Sequence, residues 1–245
     1  MSYEIISLRQ KPDLAEQVNR LSEEAWPKFL RHANTHHWSS LFDTFADYQL
    51  ILYEPEDGVL AVGHTIPLIW DGATEDLPEE MNAIMDRAMH VYQHQQTPTT
   101  LSAVAAIVGR KHQRKGLSSV ILNAMKSLAA NYSLGALIGP VRPSLKNLYP
   151  LTPIEQYVKW TRADGSPFDP WLRVHWKLGA VALKTMPKSI TVVGTVAEWE
   201  EWTGMSFPES GSYIVPGALE PVKIDRDRNL GSVDDPNLWM RHTVE

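Results

Sequence analysis

The chain contains no cysteine, which excludes disulfide bonds, thiolate metal sites and a cysteine nucleophile. No apolar run approaches the roughly 20 residues that a membrane-spanning helix requires. The opening segment MSYEIISLRQKPDL lacks the charged and then apolar pattern of an export signal. The 29 acidic residues outnumber the 23 basic residues. The resulting net charge of −6 argues against a surface that binds nucleic acid or a membrane. These absences predict a cytoplasmic protein with neither of those partners.

The composition is that of an ordinary globular protein. Of its 245 residues, 43% are hydrophobic, which is enough to bury a substantial core. There is no internal repeat, low-complexity segment or break in composition. We therefore expect a single mixed α/β domain over residues 1–245.

Hydrophobic periodicity and turn residues predict the element order β, α, α, β, β, β, α, β, α, β, β. The predicted segments are a strand at 3–8, a helix from Asp13 to Trp26 capped by Asp13 and Glu16, another helix within Trp26–Phe45, strands at 48–53 and 58–70, a helix at 81–96, a strand at 100–108, a helix from Arg114 to Tyr132, a strand at 134–141, a helix at 170–179, a strand at 189–194, a helix from Thr195 to Trp202 and two strands within 212–224. The small, apolar run TLSAVAAIV at 100–108 is typical of a central strand.

A cluster of cations marks the junction between that strand and the amphipathic helix that follows it. The cluster comprises Arg110, Lys111, Arg114 and Lys115. Cations are repelled from the positive end of a helix by about 0.3–1 kcal/mol each, unless an anion lies between them. Gly116 lets the backbone approach such an anion, and Ser118 and Ser119 add hydroxyl donors. The pattern indicates a phosphate site, with a solvated basic turn as the alternative.

The same segment resembles a known family motif. Val108, Gln113 and Gly116 match V-x(4)-[QR]-x-x-G-x-[GA], the motif of the GNAT superfamily of acyl-CoA-dependent N-acyltransferases. Ser118 stands where the family usually has Gly or Ala, and serine is small enough to pack beside a pyrophosphate. The resemblance implies a mixed, mostly antiparallel central sheet with splayed central strands, flanked by helices. The observed order of predicted elements agrees with that fold.

The resemblance also implies a cosubstrate, acetyl-CoA or another short acyl-CoA. The residues that would bind its pyrophosphate through main-chain N–H groups, with Ser119 beside them, are Gln113, Arg114, Lys115, Gly116, Leu117 and Ser118. The strand residues Ala106, Ile107 and Val108 would pair with the pantetheine arm. The sequence contains neither a G-x(4)-G-K-[ST] loop nor a G-x-G-x-x-G motif after the first strand, which removes the usual nucleotide-binding alternatives.

His175 is the first catalytic candidate. Many relatives have a tyrosine four residues before a glycine on the corresponding helix, where it protonates the departing thiolate, and counting back from Gly179 places His175 there. Histidine can exchange protons near neutral pH. The alternative is that His175 packs between Trp171 and Leu178.

The general base is less evident. The coenzyme-side strand has no Glu or Asp, and its Ser102 could at most relay a proton through water. His64 and Glu198 are the remaining candidates. Each also has a structural explanation, because a strand histidine is often a satisfied core group and Glu198 fits a capping box with Thr195.

Two further patterns have structural explanations as well. The pairs His32/His36 and His90/His94 are spaced for one helical face, but no third ligand is identifiable, so we predict no metal site. Aromatic residues accumulate in the C-terminal half, where they suit either a core or an acceptor pocket. The cations Arg142, Lys146 and Arg173 lie nearby in the sequence, which is compatible with a carboxylate-bearing or flat acceptor.

The leading hypothesis is an acyltransferase that moves an acetyl or other short acyl group from coenzyme A to the amine of a small molecule, by direct attack in a ternary complex. The alternatives are a catalytically silent GNAT-like module that binds acyl-CoA, and a nucleotide-binding enzyme. Residues 71–98 and 142–169 are expected to be insertions that determine acceptor choice. The sequence does not settle the oligomeric state, and a homodimer stays open.

Overall fold

The computed structural model describes residues 3–244. Its nine strands are β1 Glu4–Ser7, β2 Gln49–Glu54, β3 Gly58–Leu68, β4 Thr100–Val108, β5 Ala136–Val141, β6 Val181–Gly194, β7 Gly211–Tyr213, β8 Val222–Asp225 and β9 Leu230–Thr243. Its six α-helices are α1 Ala15–Ala25, α2 Met81–Gln93, α3 Leu117–Asn131, α4 Ile154–Tyr157, α5 Pro170–Lys177 and α6 Val196–Thr203. Within residues 3–244, no helix is long and apolar enough to cross a membrane.

All nine strands join one sheet, in the order β1-β2-β3-β4-β5-β9-β8-β7. The strand β6 pairs with the other edge of β9. Every pairing is antiparallel except the parallel contact between β4 and β5 in the middle of the sheet. This mostly antiparallel, mixed sheet with flanking helices confirms the expected fold class.

The central strands β4 and β5 separate soon after they meet. Their register contains only two pairs, Leu101 with Leu137 and Ser102 with Ile138. A bulge follows at once in β4, because Thr65 pairs with Ala103 and His64 with Ala105, which leaves Val104 as an extra residue. A bulge bends its strand, so β4 turns away from β5 and the sheet is splayed as predicted.

The two faces of the sheet carry different helices. On one face, α3 and α5 cover a cluster that includes Leu101, Leu122 and Leu137. On the other, α1 packs on Val62 and Ala105, whereas α2 packs on residues of β3, β5 and β9. The opening between β4 and β5 therefore connects a layer containing α3 and α5 with a layer containing α1 and α2.

Most predicted elements are confirmed, and the departures have local causes. The helix predicted within Trp26–Phe45 is not an α-helix, because Trp26 is extended before Pro27 and two short 3-10 helices follow, Lys28–His32 and Trp38–Leu41. The helix α1 begins at Ala15 after a 3-10 turn and has no side-chain cap, so the predicted cap by Asp13 and Glu16 is wrong. The strand β6 begins at Val181, eight residues before the predicted start.

The long strand β9 was not predicted. Its sequence, LGSVDDPNLWMRHT, interrupts the alternation of apolar residues with two aspartates, a proline and an asparagine. Despite this, most of its residues from Val233 to His242 are buried, because β6 covers one edge while β5 and β8 pair with the other. The last strand of the chain thus lies in the interior of the sheet.

Asp169 fixes the start of α5. Its side chain is 1% exposed and accepts hydrogen bonds from the backbone N–H groups of Trp171 and Leu172, at 2.9 and 3.2 Å. It also accepts from the N–H of Leu145 at 2.8 Å and from the Tyr157 hydroxyl at 2.9 Å. One buried carboxylate therefore caps α5 and ties it to the segment 142–169.

Replacing this carboxylate should destabilise the protein strongly. We expect Asp169→Ala to lower the free energy of unfolding by about 3 kcal/mol or more, because several buried donors lose their acceptor. Urea unfolding measures the change. The matched control is Asp164→Ala, which removes an exposed carboxylate that bonds only within its own turn to Ser166. Equal losses in the two variants would contradict the role assigned to Asp169.

Candidate functional site

The predicted phosphate corner lies where β4 passes into α3. A short 3-10 turn is followed by Arg114 at φ 63° and by Gly116 at φ 79°, which is the N-cap of α3. Among the described residues, the main-chain N–H groups from Gln113 to Ser118 have no hydrogen-bond acceptor. A Cβ placed on Gly116 would meet nothing within 4 Å. The corner is an open row of unpaired donors, as an anion site requires.

The cations of this corner are exposed. Arg110 donates to the Glu24 carbonyl oxygen at 2.8 Å. Lys111, Arg114 and Lys115 form no ion pair with any residue in the described part of the chain. No carboxylate of residues 3–244 therefore neutralises these three charges. This favours a bound anion over the alternative of a solvated basic turn.

The edge of β4 that faces β5 is free beyond Ser102. The residues Ala106, Ile107 and Val108 pair with β3 on one side, whereas the pairing with β5 ends at Ser102. An extended ligand arm could add to this edge as a further strand does. Gly139 lies where the strands begin to part, and a Cβ there would come within 3.1 Å of the Ala103 oxygen. Its missing side chain lets the two strands meet before they diverge.

A cavity of about 340 Å³ passes through the opening. Ala105, Ala106 and Gly139 line it where the strands separate. From the α3 and α5 face it is lined by Leu122, Trp171 and His175. From the other face the lining residues include Ser22, Glu23, Trp26, Arg31, Trp38, Asp235 and Asn237. The cavity thus joins the free edge of β4 to a polar chamber on the opposite side of the sheet.

His175 reaches this cavity from α5. It is 5% exposed, its ring lies against Trp171, and its Nδ1 lies 3.0 Å from Nε2 of His242 on β9. The Nε2 atom of His175 is buried and has no protein partner within residues 3–244. Burial, and then the charge of His242, lower the pKa of His175 to about 3. His175 is therefore a neutral imidazole with one nitrogen available to a ligand.

His64 lies behind the wall of the cavity. It is 1% exposed between the rings of Trp38 and Phe42, and burial lowers its pKa to about 4. Its Nδ1 lies 3.0 Å from Oε1 of Gln49. Its Nε2 lies 3.5 Å from the hydroxyl of Ser22, which does line the cavity. His64 can therefore reach a ligand only through Ser22.

The other predicted site residues are placed apart from this cavity. Glu198 forms the capping box with Thr195 at the exposed start of α6 and does not line the cavity. The hydrogen bonds from Thr195 lower the pKa of Glu198. Ser102 is fully buried in β4, and its hydroxyl has no partner among the described residues. His175 therefore lines the cavity, His64 is separated from it by Ser22, and Glu198 lies outside it.

The polar chamber contains a fixed ion pair. Arg142 donates from Nε and Nη2 to the two carboxylate oxygens of Asp235, each at 2.8 Å, and from Nη2 to the Gly217 oxygen at 2.9 Å. Asp235 is 1% exposed. Two positions further along β9, Asn237 is 3% exposed and donates from Nδ2 to the Ser189 hydroxyl at 2.8 Å. Its Oδ1 is buried without a partner within residues 3–244.

The histidine pairs do not assemble a metal site. His32 stacks on Trp202 at 4.4 Å between ring centroids, and His36 binds Asp86 at 3.0 Å. The rings of His90 and His94 lie 4.0 Å apart on α2. In the part of the chain that the structure describes, no group of three or more metal-ligating side chains is gathered together.

The C-terminal aromatic residues belong mainly to the core. Trp199 is fully buried, and the tilted rings of Tyr157 and Trp160 lie 5.1 Å apart within the segment 142–169. Trp176 is 48% exposed, and only Trp171 of this set lines the cavity. The chamber's other two tryptophans are Trp26 and Trp38, from the N-terminal part of the chain.

Sequence reasoning missed four polar residues of the site. Ser22 lies on the inner face of α1, and its position in the apolar stripe was the one available signal. Asp235, Asn237 and His242 all lie on β9. Once that strand is known, its period of two places Asp235 and Asn237 on one face.

Comparison with known proteins identifies the family. No family model matches the chain. Arginine N-acetyltransferase avaD from Aspergillus versicolor is 30% identical to this chain over an alignment of 275 residues. The alignment covers 99% of this chain and 94% of that protein.

Solved structures agree on the fold. The loading GNATL domain of CurA from Lyngbya majuscula has a TM-score of 0.67 at 13% identity, covering 100% of this chain and 98% of that one. The GphF GNAT-like decarboxylase in complex with isobutyryl-CoA has a TM-score of 0.63 at 14% identity, covering 100% of both chains. The chain belongs to the GNAT superfamily, and it is an acyl-CoA-dependent N-acyltransferase that moves an acyl group from coenzyme A to an amine.

Proposed function

We propose that the enzyme transfers an acetyl or other short acyl group to the amine of arginine or a closely related small molecule, by direct attack in a ternary complex. The cavity through the splayed sheet carries this proposal, because it brings the free edge of β4 and a polar chamber to one buried nitrogen of His175. The alternative of a catalytically silent module is not favoured, since the 30% identical relative is an N-acetyltransferase.

The arginine-like acceptor is supported by the relative and by one acidic side chain of the chamber. The relative is an arginine N-acetyltransferase. The chamber of this chain presents the exposed carboxylate of Glu23 and the buried carboxylate of Asp235. The Asp235 carboxylate is occupied by Arg142, so Glu23 is the acid available to a cationic side chain.

We propose that coenzyme A is bound by the phosphate corner and the strand edge. The open main-chain N–H groups from Gln113 to Ser118, with the Ser119 hydroxyl beside them, would hold its pyrophosphate. The exposed cations Lys111, Arg114 and Lys115 would neutralise its charge. Residues 106–108 would bind the pantetheine arm along the free edge of β4. When bound, the cosubstrate supplies the thioester carbonyl that the acceptor amine attacks.

His175 would move the proton in both halves of the reaction. A group with a pKa of about 3 holds no spare proton at neutral pH, so His175 cannot begin as the acid. With the hydrogen of Nδ1 donated to His242, Nε2 presents a lone pair to the cavity. It would accept the proton that the amine loses on attack, and then deliver the same proton to the departing thiolate. No second base is required, which leaves His64 without a necessary role.

The remaining proposals concern the whole chain. We propose a single domain over residues 1–245, in which the insertions 71–98 and 142–169 shape the acceptor chamber. Each insertion contributes one residue to the lining of the cavity, Met81 from the first and Arg142 from the second. The cytoplasmic location stays a prediction, and a homodimer stays open.

Substitution of Gly116 should weaken cosubstrate binding strongly. We expect Gly116→Trp to raise the Kd of acetyl-CoA at least tenfold, because the indole would fill the space above the unpaired N–H groups. Isothermal titration calorimetry measures the change, and desulfo-coenzyme A tests whether the contact depends on the thioester.

The matched control for this variant is Gly165→Trp. Gly165 has φ +77°, and a Cβ there also meets nothing within 4 Å, so it carries the same backbone strain. It lies in a surface turn outside the phosphate corner and the cavity. Unchanged affinity in Gly116→Trp, or an equal loss in both variants, would contradict the assignment of the corner.

The two histidines should differ in their effect on turnover. We expect His175→Ala to lower kcat by about 10²- to 10⁴-fold, the usual contribution of acid–base catalysis. Ser22→Ala, which disconnects His64 from the cavity, should change kcat by less than about threefold. Steady-state kinetics with acetyl-CoA and arginine measure both. A larger loss in Ser22→Ala than in His175→Ala would assign the proton transfer to His64 instead.

The pH dependence follows from the lowered pKa of His175. Its proposed active form is the neutral imidazole, and burial lowers its pKa to about 3, so it stays neutral above pH 5. Below the pKa of the acceptor amine, we therefore expect log(kcat/KM) to rise with slope one between pH 5.5 and pH 7.5. A histidine with its ordinary pKa of about 6.5 would instead steepen the slope to two below pH 6.5. A slope of two would contradict the environment described for His175.

A further inference from the structure

The polar chamber contains two hydrogen-bonding groups that form no hydrogen bond with the described residues of the protein. The first is the acceptor Oδ1 of Asn237, which is buried and unpaired within residues 3–244. The orientation of this amide is fixed, because Nδ2 faces the Pro140 carbonyl at 3.5 Å and the Ser189 hydroxyl at 2.8 Å. A buried acceptor without a donor is costly, so it indicates a ligand that brings an N–H or O–H group.

The second is a donor. Arg142 uses Nε and Nη2 for Asp235 and Gly217, and its Nη1 has no partner among the described residues. The bidentate contact with Asp235 holds the guanidinium plane rigid. Arg142 lines the same cavity as Asn237, and its partner Asp235 stands two positions before Asn237 on the same face of β9. A fixed donor and a fixed acceptor therefore belong to residues that line the same cavity.

The charges of the chamber are balanced. The charged side chains that line the cavity are Glu23, Arg31, Arg142 and Asp235, which sum to zero. His175 is neutral because burial keeps its pKa low. A chamber with no net charge does not favour an anion or a cation as a whole, but it accommodates a group that carries both charges.

We propose that Arg142 and Asn237 form an α-amino-acid subsite, which selects acceptors that carry a carboxylate next to the amine. Arg142 Nη1 donates to the carboxylate, and Asn237 Oδ1 accepts an N–H of the α-amine, so that the α-amine is the nitrogen acylated. Holding one N–H in this way directs the lone pair of the same nitrogen away from Asn237. The assignment rests on the proposed function, since it names the part of the acceptor that the enzyme reads.

The test compares amino acids with the amines that lack only the carboxylate. Suitable pairs are arginine with agmatine, lysine with cadaverine, and tryptophan with tryptamine, each assayed with acetyl-CoA. We expect the wild-type enzyme to prefer the amino acid by about tenfold to a hundredfold in kcat/KM, the usual contribution of hydrogen bonds to a charged group. Mass spectrometry of the arginine product should place the acyl group on the α-nitrogen.

Two variants separate the roles of the subsite residues. Arg142→Lys keeps a cation beside Asp235 but removes the forked donor, so it should lower the ratio within each pair to less than about threefold. Asn237→Leu removes the acceptor common to both members, so it should lower kcat/KM for both and leave their ratio intact. The control Lys188→Met removes a cation on β6 that faces Asp234 at 3.9 Å outside the cavity, and should leave the ratio unchanged. Thermal denaturation shows whether each variant is folded.

The outcomes distinguish the inference from the proposed function. Acylation of agmatine as fast as arginine by the wild-type enzyme, or a ratio that persists in Arg142→Lys, would overturn the subsite and leave amine acylation standing. Acylation of the guanidinium group would likewise overturn it. Absence of acylation with every amine would overturn the proposed acceptor class and the subsite with it.

Discussion

The early separation of β4 from β5 is the constraint on which the site depends. Two adjacent strands in the middle of a sheet normally pair along their whole length, because unpaired backbone groups are costly in the interior. Here the pairing ends at Ser102, and the extra residue Val104 bends β4 away. A fully paired sheet would have no cavity between its faces. The unpaired edge of β4 is therefore a permanent structural cost that a bound strand-like ligand would remove.

Small residues surround the opening and leave it unfilled. Alanines at 103, 105 and 106 and glycine at 139 leave room where larger side chains would close the gap. The helices α3 and α5 cover one side of the opening, and Asp169 caps the first turn of α5. On the other side, β9 brings polar side chains into the chamber from the interior of the sheet. Strands and helices with buried contacts thus enclose much of the cavity, and the segment 26–38 completes its wall.

The sequence predicts the fold class and places a candidate phosphate corner, for identifiable reasons. The strand 100–108 and the helix after it have clear periodicity, and the cations between them are unfavourable without an anion, so the phosphate corner is visible from local pattern alone. Local patterns do not predict the polar chamber. Asp235, Pro236 and Asn237 break the alternation that identifies a strand, and their burial depends on β5, β6 and β8, which are distant in the sequence. His242 pairs with His175 across 67 positions, a separation that no local pattern reports.

The low pKa of His175 follows from the same burial that suits it to the proposed proton transfer. A histidine in water near neutral pH is shared between its charged and neutral forms, and only the neutral form has a lone pair to accept a proton. Burial beside Trp171 and His242 removes the charged form at neutral pH, so that the imidazole of His175 is neutral. The penalty is that the imidazolium, once formed, is unstable in this environment. An unstable imidazolium gives its proton up readily. In the proposed reaction the departing thiolate would take that proton, so a weak base suits a step in which the proton is held only briefly.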